Sequence, residues 1–170
     1  MRLHILTLIA LLAGCAEDKL PPSPIGRQIA RGEQGLVTSV QDGDTFRVTL
    51  EDDISVSVRV LGVDCPESSF NAKCERDGAE GRRPCEEQIP LGQRATVRAR
   101  ALLNGQQITL EPGENGFEWD TFGRLLAYVR LPDDQDFGLV MLSEGLCSDF
   151  SWRYPHPRQG PYREADTLGP

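Results

Sequence analysis

Three short segments hold the side chains best suited to chemistry: Asp42-Gly43-Asp44-Thr45, the run Arg59-Val60-Leu61-Gly62-Val63-Asp64-Cys65-Pro66-Glu67, and Asp120-Thr121-Phe122-Gly123-Arg124. Carboxylates take up hard cations or move protons, and a guanidinium grips phosphate or carboxylate through two parallel N–H donors. Histidine chemistry is nearly closed off. Of the two histidines, His4 lies in an N-terminal apolar leader, so only His156 is left, too few for a two-histidine mechanism or a histidine-built zinc site. Hydrolysis must therefore rest on carboxylates, Arg, Ser or Cys. Singly, each segment is ordinary. Asp-Gly-Asp is a common turn, 64–67 reads equally as a strand end running into a Pro-set turn, and Arg124 as a solvated strand residue.

The elements that must position these residues follow from periodicity. The stretches 35–40 and 45–50 are β-rich, and Phe46, Val48 and Leu50 share one face. After the turn Glu51-Asp52-Asp53, Ile54, Val56, Val58 and Val60 alternate with Ser55, Ser57 and Arg59, which predicts a half-buried strand. Residues 68–90 are polar and carry Gly78, Gly81 and Pro84, reading as a long loop pinned by two cysteines. Leu91, Ala95, Ala99 and Leu102 recur at helical spacing and Asn104-Gly105 closes the segment, predicting a helix over 91–103. Strands are expected over 107–111 and 124–131, and a short helix over 137–144. From Pro155 onward, four prolines in sixteen residues predict no order. The expected class is mainly β with helices. Five strands, a helix between the third and fourth, and a second short C-terminal helix match the OB-fold, a five-stranded Greek-key barrel.

The chain has 170 residues, 39% hydrophobic and 26% charged, enough for one domain with a core. Met1-Arg2, an apolar run to Leu12 and then Ala13-Gly14-Cys15 read as a secretory leader, too short to span a bilayer. Its end, Leu12-Ala13-Gly14-Cys15, resembles the bacterial lipobox, which implies cleavage before an acylated Cys15 and a membrane anchor. Ala16 after that cysteine points to the outer membrane of a bacterial envelope. The expected organisation is a leader over 1–14, a flexible tether over 15–33, an OB-fold domain over 34–154 and a disordered tail over 155–170. Export makes Cys65, Cys74, Cys85 and Cys147 candidates for two disulfides. Three pairings are possible, of which Cys74–Cys85 with Cys65–Cys147 is favoured; a four-Cys zinc site has no CxxC pair to support it. The formal charge of −8 argues against tight non-specific adhesion to nucleic acid, without excluding a local basic site.

Together, the three motif segments resemble the staphylococcal nuclease (thermonuclease) family, over about 36–145. That resemblance implies an OB-fold hydrolysing phosphodiester bonds of DNA or RNA with calcium, releasing the 5′ oxygen and leaving 3′-phosphate ends. It further implies that Asp44 and Asp64 are calcium carboxylates, that Cys65 stands where a threonine usually lends its carbonyl, and that Glu67 lies beside the attacking water. Arg59 and Arg124 match the two guanidiniums on the scissile phosphate. Thr121 and Phe122 occupy positions near the terminal nucleotide, where the family carries a basic residue and a tyrosine. The chemistry is coherent: calcium takes 6 to 8 oxygens, leaving room for a phosphate oxygen, and cation and arginines favour the more anionic transition state. Nucleic acid is the expected partner, with the membrane through the lipid; no protein partner is expected and the chain is expected to be a monomer. The competing reading is an inactive OB-fold binding module or a structural envelope lipoprotein, against which stands the full set Asp44, Arg59, Asp64, Glu67 and Arg124.

Overall fold

A computed structural model describes residues 24–167. The leader, Cys15 and the first part of the expected tether, through residue 23, lie outside the described residues. The chain runs β1 (Glu33–Val40), β2 (Thr45–Leu50), β3 (Ser55–Val60), β4 (Val63–Asp64), α1 (Ala72–Ala79), α2 (Cys85–Leu103), β5 (Gln107–Glu111), β6 (Glu118–Trp119), β7 (Leu125–Arg130), α3 (Phe137–Ser143), β8 (Ser148–Asp149) and α4 (Gln159–Ala165).

Period-two patterning builds the barrel. Phe46, Val48 and Leu50 of β2 and Val56, Val58 and Val60 of β3 are buried, while Arg47 and Ser55 face outward. The strands β1, β2 and β3 form an antiparallel meander, β3 runs parallel to β7, and β5 pairs antiparallel with both β7 and β1. The five strands thus close on themselves, leaving the barrel no free edge to template aggregation. A register shift between Val37 and Ser39 in β1 supplies the bend that closure needs. Ala95, Ala99 and Leu103 of α2 and Phe137, Met141 and Leu142 of α3 join the strands in one core, with Phe137 set edge-on to Phe46 at 6.1 Å. This is the expected OB-fold, with three two-residue strands and two helices in addition.

Four expectations are corrected. The loop expected over 68–90 contains α1, started by Asn71, whose side chain accepts from the backbone N–H groups of Lys73 and Cys74. Helix α2 begins at Cys85, because the second turn accommodates Pro90, where apolar periodicity had marked Leu91 as the start. The expected tail instead carries α4, where Pro161 stands in the first turn, which has no intrahelical partner for its missing N–H. It packs because Tyr162 is fully buried and its hydroxyl donates to Asp136 Oδ1 at 2.8 Å. The domain also begins before residue 34: Ile29 is in the core, and Arg27 pairs with Glu33 and Asp52.

Both favoured disulfides are present, Cys65–Cys147 and Cys74–Cys85. The first joins the residue after β4 to the residue before β8, which are themselves paired strands. The second closes α1 onto the start of α2.

Candidate active site

Strand register gathers the three motif segments. Thr45 stands opposite Arg59 in the β2–β3 pair, and Arg59 opposite Leu126 in the β3–β7 pair, so the start of β7 brings Arg124 to the same place. Asp44 is fixed just before β2, where its carbonyl accepts from Val60 N–H at 2.9 Å. Asp64 closes β4, registered against Ser148 of β8. Two glycines allow the close approaches. A Cβ on Gly43 would lie 2.8 Å from Cys65 Cβ and Sγ, and one on Gly92 of α2 would lie 2.4 Å from the carbonyl oxygens of Pro66 and Glu67. The backbone of α2 therefore lies directly against the segment that carries Glu67.

The side chains form one continuous chain. Arg124 Nη1 donates to Thr45 Oγ1 at 3.3 Å, and Thr45 Oγ1 donates to Asp44 Oδ1 at 3.0 Å. Asp44 Oδ2 accepts from Cys65 N–H at 2.8 Å and lies 2.7 Å from Arg59 Nη1. Arg59 Nη2 donates to Asp64 Oδ1 at 2.9 Å. The Lys73 ammonium lies 3.3 Å from Asp64 Oδ2 and 3.0 Å from Glu67 Oε1. Asn71 Nδ2 donates to Glu67 Oε2 at 2.6 Å. Arg124 is braced from its other side by Asp120, which accepts from its Nε at 2.7 Å.

Arg59 has a peculiarity. Nη1 is buried and within ion-pair distance of Asp44, yet it makes no hydrogen bond, because the alignment is wrong. A buried guanidinium N–H with no acceptor in line is costly.

Charge is crowded here. Burial and the neighbouring Asp44 charge push the Asp42 carboxyl up to about 7. Burial raises Asp64 above the usual carboxylate range, even against the pull of Arg59 and Lys73. Burial alone would lower Arg59 and Lys73, but the surrounding carboxylates outweigh it and raise both.

Among the described residues, no group of three or more His, Cys, Asp or Glu forms a ready-made metal cage. The donor chemistry nonetheless fits a hard divalent cation. Asp44 and Asp64 offer only oxygen, and the Cys65 sulfur is committed to its disulfide. Such a cation would need waters or substrate to complete its shell.

Asp44, Arg59, Asp64, Cys65, Glu67 and Arg124 are thus all brought together. Thr121 and Phe122 stand apart on the exposed turn before β7, where the Phe122 ring centroid lies 5.4 Å from the Arg124 guanidinium carbon. Lys73, Asn71 and Gln88 were not anticipated. Lys73 had one signal in the sequence: it is one of only two lysines, and it adjoins Cys74. A shallow groove of about 380 Å³ flanks the site, lined by Gln41, Ser68, Gln93, Thr96, Val97 and Arg100. A larger one, about 690 Å³, lies along α2 toward Glu144 and touches none of the motif residues.

The family model described as "Staphylococcal nuclease homologue" matches residues 57–167, from β3 through α4. Endonuclease YhcR of Bacillus subtilis (strain 168) is 29% identical over 136 residues, which is 79% of this chain and 10% of that protein. The chain spans about a tenth of the length of that relative.

Proposed function

This chain belongs to the staphylococcal nuclease homologues, and from that premise we propose that it is a calcium-dependent nuclease that hydrolyses phosphodiester bonds of DNA or RNA. The observation that carries the reading is the unbroken polar chain from Arg124 through Thr45, Asp44, Arg59 and Asp64 to Lys73 and Glu67, with an unused buried N–H on Arg59. The family model of nuclease homologues, matched over residues 57–167, and a relative named as an endonuclease support it.

Each side chain has a task set by its surroundings. Asp44 and Asp64, with the Cys65 carbonyl, would hold a calcium ion, which would supply neutralisation of the charge building on the phosphate. Arg59 faces a phosphate oxygen with the small part of its guanidinium that solvent reaches. Its orientation is held at Nη2 by Asp64. Arg124, fixed by Asp120 and Thr45, presents a second guanidinium that is partly exposed. Both arginines favour the transition state over the ground state, because a phosphodiester gains negative charge as water adds. Glu67 accepts a proton from the attacking water, the P–O5′ bond breaks, and the departing 5′ oxygen takes a proton from solvent. The products are a 3′-phosphate end and a 5′-hydroxyl end.

The chain acts as a monomer, exported and held in the bacterial envelope by lipid on Cys15, with the outer membrane favoured. The leader and its lipobox-like end support the export and the anchor. End-group mapping of products from single- and double-stranded DNA and RNA tests the chemistry. 3′-Phosphate ends are expected, and 5′-phosphate ends from any substrate would overturn the assigned direction of attack.

A further inference from the structure

Glu67 follows a two-residue strand and a proline, on a segment whose own backbone does little to aim a flexible side chain. Its carboxylate is nevertheless engaged at both oxygens. Asn71 Nδ2 donates to Oε2 at 2.6 Å and the Lys73 ammonium lies 3.0 Å from Oε1. Both groups come from the first residues of α1. Two of the carboxylate's lone-pair directions are thereby occupied, leaving the others for water.

Asn71 couples that grip to the helix itself. Its Oδ1 accepts from the N–H groups of Lys73 at 2.9 Å and Cys74 at 3.0 Å, starting α1, while its Nδ2 holds Glu67. The residue after Lys73 is Cys74, bonded to Cys85 at the start of α2. From α2 a second tie returns. Gln88 Oε1 accepts from Glu67 N–H at 3.2 Å, and Gln88 Nε2 donates to Asp77 Oδ2 of α1 at 3.2 Å. Asp77 is held in turn by Arg82 Nε at 3.2 Å and lies 3.6 Å from Lys73 Nζ. Backbone and carboxylate of Glu67 are thus fixed by one disulfide-closed pair of helices, which cannot shift without moving the carboxylate.

We propose that helix α1, closed onto α2 by Cys74–Cys85, is a positioning device for the Glu67 carboxylate, with Asn71 and Lys73 as positioning residues. This rests on the reading that Glu67 acts on the attacking water. Holding that carboxylate in one orientation keeps the reacting groups aligned, and misplacement by about 1 Å is enough to cost on the order of 10²-fold in rate.

The test measures kcat and KM at saturating calcium for Lys73→Met, Lys73→Arg, Asn71→Asp and the pair Cys74→Ser with Cys85→Ser, each in the parent and in a Glu67→Gln background. Asn71→Asp keeps an equally good helix cap but replaces the donor with a like charge. Lys73→Met and Asn71→Asp are expected to lower kcat about 10- to 100-fold, with KM within about twofold. Lys73→Arg is expected to restore most of the loss, and the cysteine pair to lower kcat less than Lys73→Met. In the Glu67→Gln background Asn71→Asp and the cysteine pair lower kcat no further, and Lys73→Met loses only the smaller part carried by its contact with Asp64. Equal losses in both backgrounds, or losses confined to KM, would overturn the positioning role. A Glu67→Gln protein that cuts at the parent rate would overturn the reading of Glu67 itself.

Discussion

Around Arg59 and beneath α4 the molecule packs two clusters of charged and aromatic groups, and they are built differently. Beneath α4 the charged groups are paired off, with His156 Nε2 left without a hydrogen bond as Arg59 Nη1 is in the other cluster. Tyr162 donates to Asp136, Arg158 pairs with both Asp136 and Glu111, and the Tyr128 hydroxyl meets His156 Nδ1 at 2.8 Å. The aromatic rings of Tyr128 and Tyr162 meet edge to face, with centroids 6.1 Å apart. Around Arg59, carboxylates crowd until burial raises Asp42 and Asp64, and one buried N–H goes unbonded. The first cluster is spent on holding the C-terminal segment to the barrel. The second instead crowds several carboxylates around one buried guanidinium, an arrangement that shifts their titration.

That contrast predicts where substitutions will be felt. Tyr162→Ala, removing a fully buried ring, is expected to cost about 3–5 kcal/mol of stability in urea unfolding. Cleavage per folded molecule should be unchanged. Arg59→Ala should do the reverse, lowering kcat about 10²- to 10³-fold while the circular dichroism spectrum of the fold is retained. If Tyr162→Ala abolished cleavage by folded protein, the two clusters would not be separable.

Gly92→Ala sharpens the contrast at the junction of site and scaffold. Its Cβ would stand 2.4 Å from the carbonyl oxygens of Pro66 and Glu67, so helix or loop must move. A kcat loss on the order of 10-fold is expected, smaller than for Arg59→Ala. An unchanged kcat would show that Glu67 tolerates displacement.

The smallest effect concerns His156, whose imidazole faces Tyr128, Tyr162, Asp149, Arg158 and Arg163, with Nε2 buried and unbonded. Burial first, then the nearby arginines, lowers its pKa below the ordinary value, against Asp149. Below about pH 6.5 the unfolded chain therefore binds a proton that the folded one resists. Its contribution to stability is full above that pH and is lost as pH falls toward the folded pKa. His156→Gln should flatten the acid side of the stability profile in urea melts between pH 7 and 5; an unaltered slope would place that dependence elsewhere.

Much of this architecture was legible in the sequence, for identifiable reasons. β2 and β3 declared themselves because every second residue from Phe46 to Val60 is apolar outside the turn, and two-residue periodicity specifies which face is buried. That Asp44, Arg59, Asp64 and Arg124 would meet was legible because they sit in short motifs at strand ends. Helix α1 was not, because its start depends on the Asn71 cap and its stability on a disulfide, with no apolar stripe to read. The C-terminal segment departs from expectation for a related reason: Pro155, Pro157 and Pro161 suggested disorder, while His156, Arg158 and Tyr162 fix it through contacts distant in sequence. Lys73 and Asn71 reach Glu67 only because the chain folds back there, and their spacing alone carries no sign of it.

The most direct test is cleavage of single-stranded DNA and RNA by the oxidised chain, with calcium and then with excess chelator, beside Asp64→Asn. Cutting that requires calcium and vanishes in both the chelated parent and Asp64→Asn is the predicted result. Cutting that persists in chelator, or in Asp64→Asn at the parent rate, would contradict a calcium-supported site built on Asp44, Arg59, Asp64 and Glu67.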